Sequence, residues 1–373
     1  MARSRYTLMS NILLRLFSLR MVKRMRILLP LLFMSIIFVA YSTSINSKKR
    51  ILLIHSYHPG YSWVRDINIA WKRRFEKQNN AHVRTYYMDT KRFPSLSDKK
   101  KSAKSALDLI KSWNPEILVA FDDDAQEFVA SRFINRKNIS IVYGGVNNDL
   151  SLYNYIEANN VYGISERMQL DAFKTALSDL KIRGKKIDGL KIAHLSDQSI
   201  FSDNITNQVK NYDWYPHVLV SSTQCNSLQE WKVAVKKADQ NADLLFITNY
   251  HTLDGQLSGD DTHAKHRQVA VPPKEVINWT TSNTSIPLVG TYGFLVEDGG
   301  TLSIGISAFE QGNIAANFTI RLLKDQLIPK ASRNVIGQHV IVFMNKKRMT
   351  YWGWDLSQLY SSFAEATGNY FRE

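Results

Sequence analysis

From residue 50 onward, short apolar runs alternate with segments whose apolar residues recur every three or four positions, and the alternation runs twice along the chain. Arg50-Ile51-Leu52-Leu53-Ile54-His55-Ser56 reads as a strand buried on both faces, and Ile67, Trp71 and Phe75 set one face of a helix near 66–78, with Asp66 at its start. Strand Val83–Asp89, helix 97–113 capped by Ser97 or Asp98, strand Glu116–Phe121, helix 124–134 and strand Ser140–Val146 follow. A second series reads as strand 160–164, helix 168–180, strand 190–196, helix 202–211, strand 217–222, helix 227–238, strand 243–249, helix 272–281 and strand 286–291. Such order demands parallel sheets covered on both faces and joined by right-handed crossovers. Two series imply two doubly wound α/β lobes.

The end of the chain departs from that rhythm. Thr301–Ser307 reads as a strand, 308–327 as a helix and Val340–Phe343 as one more strand. The expected division is residues 47–162 and 298–330 in lobe 1, with 163–297 and 331–373 in lobe 2. Shared strands of this kind build a hinge. A chain of 373 residues suits two lobes.

The net charge of +15 does not mark a nucleic-acid partner, because seven of those charges fall in residues 1–46, which hold no acid. The short clusters Lys99–Lys101, Lys185-Lys186 and Lys346–Arg348 lie beside helix or turn signals and read as solvated surface. The basic stretch ending at Arg26 precedes an apolar run, Ile27–Ala40, of 14 residues. This matches the core of an export signal and falls short of the roughly 20 residues that span a bilayer. Cleavage after Ser42 or Ser44, or retention as an inner-membrane anchor, are both open, and Met21 or Met25 are alternative starts. Segment 1–46 is thus a signal peptide or anchor with its linker, and membrane contact is expected there only. The single cysteine, Cys225, allows no intrachain disulfide, so an exported chain must rest on its core.

In doubly wound sheets, ligands sit beyond the carboxyl ends of the strands. Those positions here are His55-Ser56-Tyr57-His58-Pro59-Gly60-Tyr61-Ser62-Trp63, Asp122-Asp123-Asp124, Gly144–Asn148, Ser165-Glu166, Asp197, Asn249-Tyr250-His251 and Thr291-Tyr292-Gly293. Aromatic walls with a few polar groups suit a small organic ligand. The expected binding residues are His55, Ser56, Tyr57, Trp63, Asp122, Asp123 and Asn147 from lobe 1, with Tyr250 and Tyr292 from lobe 2. Each has a plainer role open to it: the three aspartates as helix caps, His55 as a core histidine, Tyr61 and Trp63 as packing, Tyr250 and Tyr292 as surface tyrosines. An acidic loop with few cleft arginines suits a ligand bearing an amine or several hydroxyls.

Leu53–Trp63 resembles the opening of the ABC-transporter substrate-binding protein family that includes TrpX-like proteins. Ala120-Phe121-Asp122-Asp123-Asp124-Ala125, Ile141–Asn147, Asn160-Val161-Tyr162-Gly163-Ile164 and Ile286-Pro287-Leu288-Val289-Gly290 are similar to further segments of that family in the same order. An Asn often stands in the family where this chain has Asp124. The resemblance covers about residues 50–356. It implies a type 1 periplasmic-binding-protein fold, three linking segments and capture of a solute by lobe closure, with an ABC permease or a membrane sensor as partner. The expected protein is periplasmic, uses no cofactor and is not an enzyme; a sensing role would need a separate signalling partner.

Two further readings stand beside it. His251, Asp260, His263 and His266 have the residue types for a metal-assisted hydrolase. No His-Glu-x-x-His, Gly-x-Ser-x-Gly or glycine-rich phosphate loop accompanies them. A membrane-tethered interaction module without a ligand is the other.

Overall fold

The computed structural model describes residues 33–38, 48–255 and 270–372, without the side chains of Ile200 and Phe201. The chain divides into Met1–Lys49 and Arg50–Glu373. In the first, residues 33–38 form a short helix (α1) whose Phe33, Met34, Ile36, Ile37 and Phe38 are exposed. No helix among the described residues is long and apolar enough to cross a membrane. The expected basic flank and the cleavage positions at Ser42 and Ser44 lie outside the described residues.

The rest carries two large sheets. β1 (Lys49–His55) shows why: Ile51 and Leu53 enter one core and Leu52 and Ile54 another, so the strand is apolar without a break from Ile51 to Ile54. α2 (Ser62–Phe75) covers the first face. It starts a turn before the expected 66, because Trp63 and Val64 extend its buried stripe, and Asp66 lies inside it rather than at its cap. After β2 (Ala81–Tyr87), α3 (Leu96–Trp113) is capped by Ser95, whose Oγ accepts from the Asp98 N–H and donates to its carboxylate, instead of by Ser97 or Asp98. α3 lays Ala103, Ala106 and Ile110 on the second face.

β3 (Ile117–Phe121), α4 (Asp123–Phe128), β4 (Ser140–Val146) and β5 (Val161–Ser165) complete that half. The second half runs α5 (Leu170–Asp179), β6 (Lys181–Ile182), β7 (Lys185–Lys186), β8 (Lys191–Asp197), α6 (Ile200–Asn211), β9 (Val218–Cys225), α7 (Leu228–Asn241), β10 (Leu244–Ile247), α8 (Pro273–Ser282), β11 (Leu288–Gly290) and α9 (Phe294–Glu297). Then come β12 (Leu302–Ile306), α10 (Ala308–Leu323), β13 (Asn334–Ile336), β14 (Val340–Asn345), α11 (Lys346–Trp352), β15 (Trp354–Asp355), α12 (Gln358–Ala366) and β16 (Tyr370–Phe371).

The sheet orders are β13-β5-β4-β3-β1-β2 and β16-β14-β12-β11-β10-β8-β9, with a small ribbon β15-β6-β7. In the first, β1, β3, β4, β5 and β13 run parallel. In the second, β12 and β14 are antiparallel, which the strand–helix rhythm did not foretell. Three strand assignments also differ from the sequence-based division. β5 belongs to the first sheet through Ser165, β12 to the second and β13 to the first, since an apolar strand pattern does not say which sheet takes it. The chain passes between sheets at 166–169, at Ser307 and at 337–339.

α10 follows the second of these passages and packs on α2 and β4 of the first sheet. The approach is close enough that a Cβ at Gly312 would strike the Ile67 carbonyl oxygen. Gly312→Val is therefore expected to lower stability by about 1–3 kcal/mol. A urea midpoint unchanged from the parent would contradict this packing.

Candidate functional site

The carboxyl ends of both sheets' strands meet around a small, partly open space. Tyr57, Tyr61, Trp63, Lys91, Asp122, Asn147 and Glu166 line it from the first sheet's side, and Asn249, Tyr292 and Phe294 from the second. Tyr61 packs against Phe294 (ring centroids 5.6 Å) and His251 (5.0 Å). Trp63 meets Tyr292 edge-on at 6.1 Å, and Tyr292 stacks on Phe294 at 5.1 Å. These rings join the halves in one apolar cluster. A second space of about 320 Å3, lined in part by Asp66, Glu297, Phe309 and Phe343, shares Trp63 and Phe294 as walls.

The acids after β3 do three different things. Asp124 pairs with Lys99 at 2.8 Å. Asp123 accepts from the Tyr153 hydroxyl (2.7 Å) and the N–H groups of Asn147 and Asn148 (3.1 Å each), so it fixes the loop after β4. Asp122 faces the cavity. Its Oδ1 accepts from Trp63 Nε1 at 2.9 Å, and its Oδ2 is buried without a hydrogen-bond partner. Its backbone sits at φ 65°, ψ 166°, a region costing about 1–3 kcal/mol for a residue with a side chain. Hydrogen bonds from its own N–H to Gly144 O (2.9 Å) and from Gln126 Nε2 to its carbonyl (3.1 Å) hold it there. Gly145, at φ +66°, leaves the carboxylate room, since a Cβ would lie 2.8 Å from Asp122 Oδ1.

Glu166 enters from the first interlobe passage and accepts from the Tyr292 hydroxyl at 2.7 Å. Burial, opposed by that bond, pushes its carboxyl up to about 8. Burial and the facing Glu166 push Asp122 well above the carboxylate range. Lys91 is buried, and its ammonium lies 4.6 Å from the Tyr57 ring and 5.2 Å from Tyr61, a cation–π geometry. Asp197, at the end of β8, accepts from Ser199, Ser202 and the N–H groups of His251 and Thr252 and so builds the second sheet's loops.

Of the expected residues, the structure brings Tyr57, Trp63, Asp122, Asn147 and Tyr292 onto the cavity wall. His55, Ser56, Asp123 and Tyr250 stand behind it. His55 stacks between Tyr87 and Phe121, and burial lowers its pKa to about 3. Ser56 donates to Phe121 O and accepts from Ala125 N, both at 2.8 Å. Tyr250 donates to Asp298 at 2.7 Å and stacks on His251. Sequence reasoning left Tyr61, Glu166 and Asn249 off its site despite their strand-end positions, and missed Lys91 and Phe294. Lys91 follows the strand-end turn at Asp89, the one signal that pointed to it. In the hydrolytic reading, Asp260, His263 and His266 lie outside the described residues, while His251 is buried and its pKa is held well below its usual value by that burial. Among the described residues, no group of three or more His, Cys, Asp or Glu is placed to hold a metal.

Glu166 sets a pH signature. Between its ordinary 4.5 and about 8, the folded chain keeps a proton that the unfolded chain has lost, so stability falls as pH rises through that window. The slope is up to about 1.4 kcal/mol per pH unit. Urea melts at pH 5.5 and 7.5 are expected to show a smaller decline for Glu166→Gln than for the parent. Parallel declines would contradict the assignment.

No protein-family model matches the chain, and no curated protein matches it by sequence. Solved structures do. A conserved domain protein of Vibrio cholerae superposes with a TM-score of 0.62 at 12% identity, over 87% of this chain and 100% of that one. An ABC domain in complex with L-Trp from Streptococcus pneumoniae gives 0.58 at 16%, over 84% and 98%. The ligand-free, open structure of CD0873, a substrate binding protein with adhesive properties from Clostridium difficile, gives 0.53 at 13%, over 83% and 96%. With two parallel-cored α/β sheets, three passages between them and these likenesses, the chain has the type 1 periplasmic-binding-protein fold.

Proposed function

We propose that this chain is an extracytoplasmic solute-binding protein that captures a small organic molecule between its lobes and delivers it to an ABC importer. The observation that carries this reading is the space walled by strand-end residues of both sheets, where closure of the lobes would enclose a solute. Its lining is aromatic with a few fixed polar groups, the composition of a specific small-molecule site. The N-terminal basic and apolar run supports export. The pneumococcal domain of the same fold is in complex with L-Trp, a small organic solute. In this reading Tyr57, Tyr61, Trp63 and Phe294 form the wall, Asp122, Asn147, Glu166 and Asn249 orient polar groups, and Tyr292 closes from the second lobe. His55, Ser56, Asp123 and Tyr250 support them from behind.

A thermal-shift screen against amino acids, sugars, polyamines and nucleosides tests it. A solute at about 100 times its Kd is expected to stabilise the fold by about 2.7 kcal/mol. Asp122→Ala and Tyr292→Ala are each expected to weaken that solute's binding at least tenfold. A solute bound equally well by both variants would place the site elsewhere, and silence across the screen would contradict the reading itself.

A further inference from the structure

Among the described residues, the wall of the cavity between the lobes carries two carboxyl groups and one ammonium. Asp122 and Glu166 are 2% exposed and Lys91 is 5% exposed. The surrounding charges are already engaged. Asp124 has Lys99, Asp123 has Tyr153 and two backbone N–H groups, Asp197 has four donors and Asp298 has the Tyr250 hydroxyl. Arg167 on the passage beside Glu166 directs its guanidinium to the carbonyls of Val146, Asn147 and Glu166. Burial keeps His251 neutral, and it keeps the Tyr57, Tyr61 and Tyr292 phenols protonated. Among the described residues, Lys91 is thus the one cation on the cavity wall, facing Asp197, Asp122, Asp124 and Glu166.

Two dry carboxylates opposite one ammonium leave a negative charge that such a space does not tolerate, so one carboxyl keeps its proton. Asp122 Oδ2 also lacks any hydrogen-bond partner. We propose that the cleft takes solutes bearing a protonated amine, and that the incoming ammonium replaces the proton held by one of the two carboxyl groups, Asp122 or Glu166. The carboxyl O–H bond breaks, the proton passes to solvent, and the ammonium donates to the freed oxygens, so the cavity's charge is unchanged. The aromatic rings around it favour a cation in the same place. The raised carboxyl pKa values agree with a proton retained near neutral pH. The proposal rests on reading the cleft as a solute site and adds the class of solute.

The test pairs amines with amine-free counterparts: phenethylamine and L-phenylalanine against 3-phenylpropionate, putrescine against butane-1,4-diol, and glucosamine against glucose. Stabilisation confined to the amine members is expected. An amine-free member that stabilises as strongly as its partner overturns the proposal and leaves the solute-binding reading intact. If no solute of this or the wider screen stabilises the protein, both fall. Phenethylamine against L-phenylalanine distinguishes a bare amine from an amino acid. For the strongest amine, calorimetry in phosphate and in Tris at pH 7 is expected to count about one proton released, with affinity rising about tenfold from pH 6 to 7. Asp122→Asn and Glu166→Gln, each verified as folded by circular dichroism, are expected to bind at least tenfold more weakly and release no proton. Glu166→Gln decides alone if the other does not fold. A proton count of zero in the parent overturns the proposal.

Discussion

A carboxyl group removed from water must find a counter-charge, find enough hydrogen-bond donors or keep a proton, and this molecule sets Asp122 and Glu166 against the cavity where its halves meet. Asp122 and Glu166 come from different levels of the fold: one from a strand end, the other from a passage between sheets. Much of the local structure exists to hold them there. The unusual backbone of Asp122 is fixed by Gly144 and Gln126, Gly145 stays out of its way, and Trp63 takes one of its oxygens. Tyr292 reaches across to Glu166. The aromatic cluster around them lowers the local dielectric and makes each polar contact count for more.

The passages between sheets are built with equal care. Glu310, in the first turn of α10, accepts from the N–H groups of Gln338 and His339, so the second and third passages are tied together. Its neighbour Gln311 accepts from the Gly145 N–H at 2.9 Å, beside Asp122. A Cβ at Gly337 would lie 2.8 Å from Gln311 Nε2 and 3.1 Å from Glu310 Oε2. The loop that shapes the acidic site is thus bonded to the same helix turn that ties the passages together. Arg65 of α2 and Glu297 of α9 form a 3.0 Å ion pair between the two halves, exposed and worth little by itself.

The sheets were legible in the sequence because their strands are buried on both faces and bounded by turns; Ser140–Val146 matches to the residue. The two-residue strands of the small ribbon carry no periodic signal and were not. At the site, the strand-end rule found the right loops and could not say which way each side chain turns. His55 and Ser56 end a strand, and the alternation that sends Ile54 into one core sends His55 between Tyr87 and Phe121. Ser56 is absorbed by a strand end and a helix start. The run Asp122–Asp124 gave no hint that one acid faces the cavity, one a loop and one a lysine. Lys91 stands just past a strand end, but that position does not show that β2 lies next to β1 at the sheet's edge and so brings it to the site.

Small-angle X-ray scattering with and without a saturating solute from the screen tests the two-lobe account most directly. The account predicts a smaller radius of gyration and a narrower pair-distance distribution once the lobes clamp the solute, with the change abolished in Asp122→Asn. Superimposable profiles at full occupancy would mean that the solute sits on a rigid body, and the lobes do not work as a clamp.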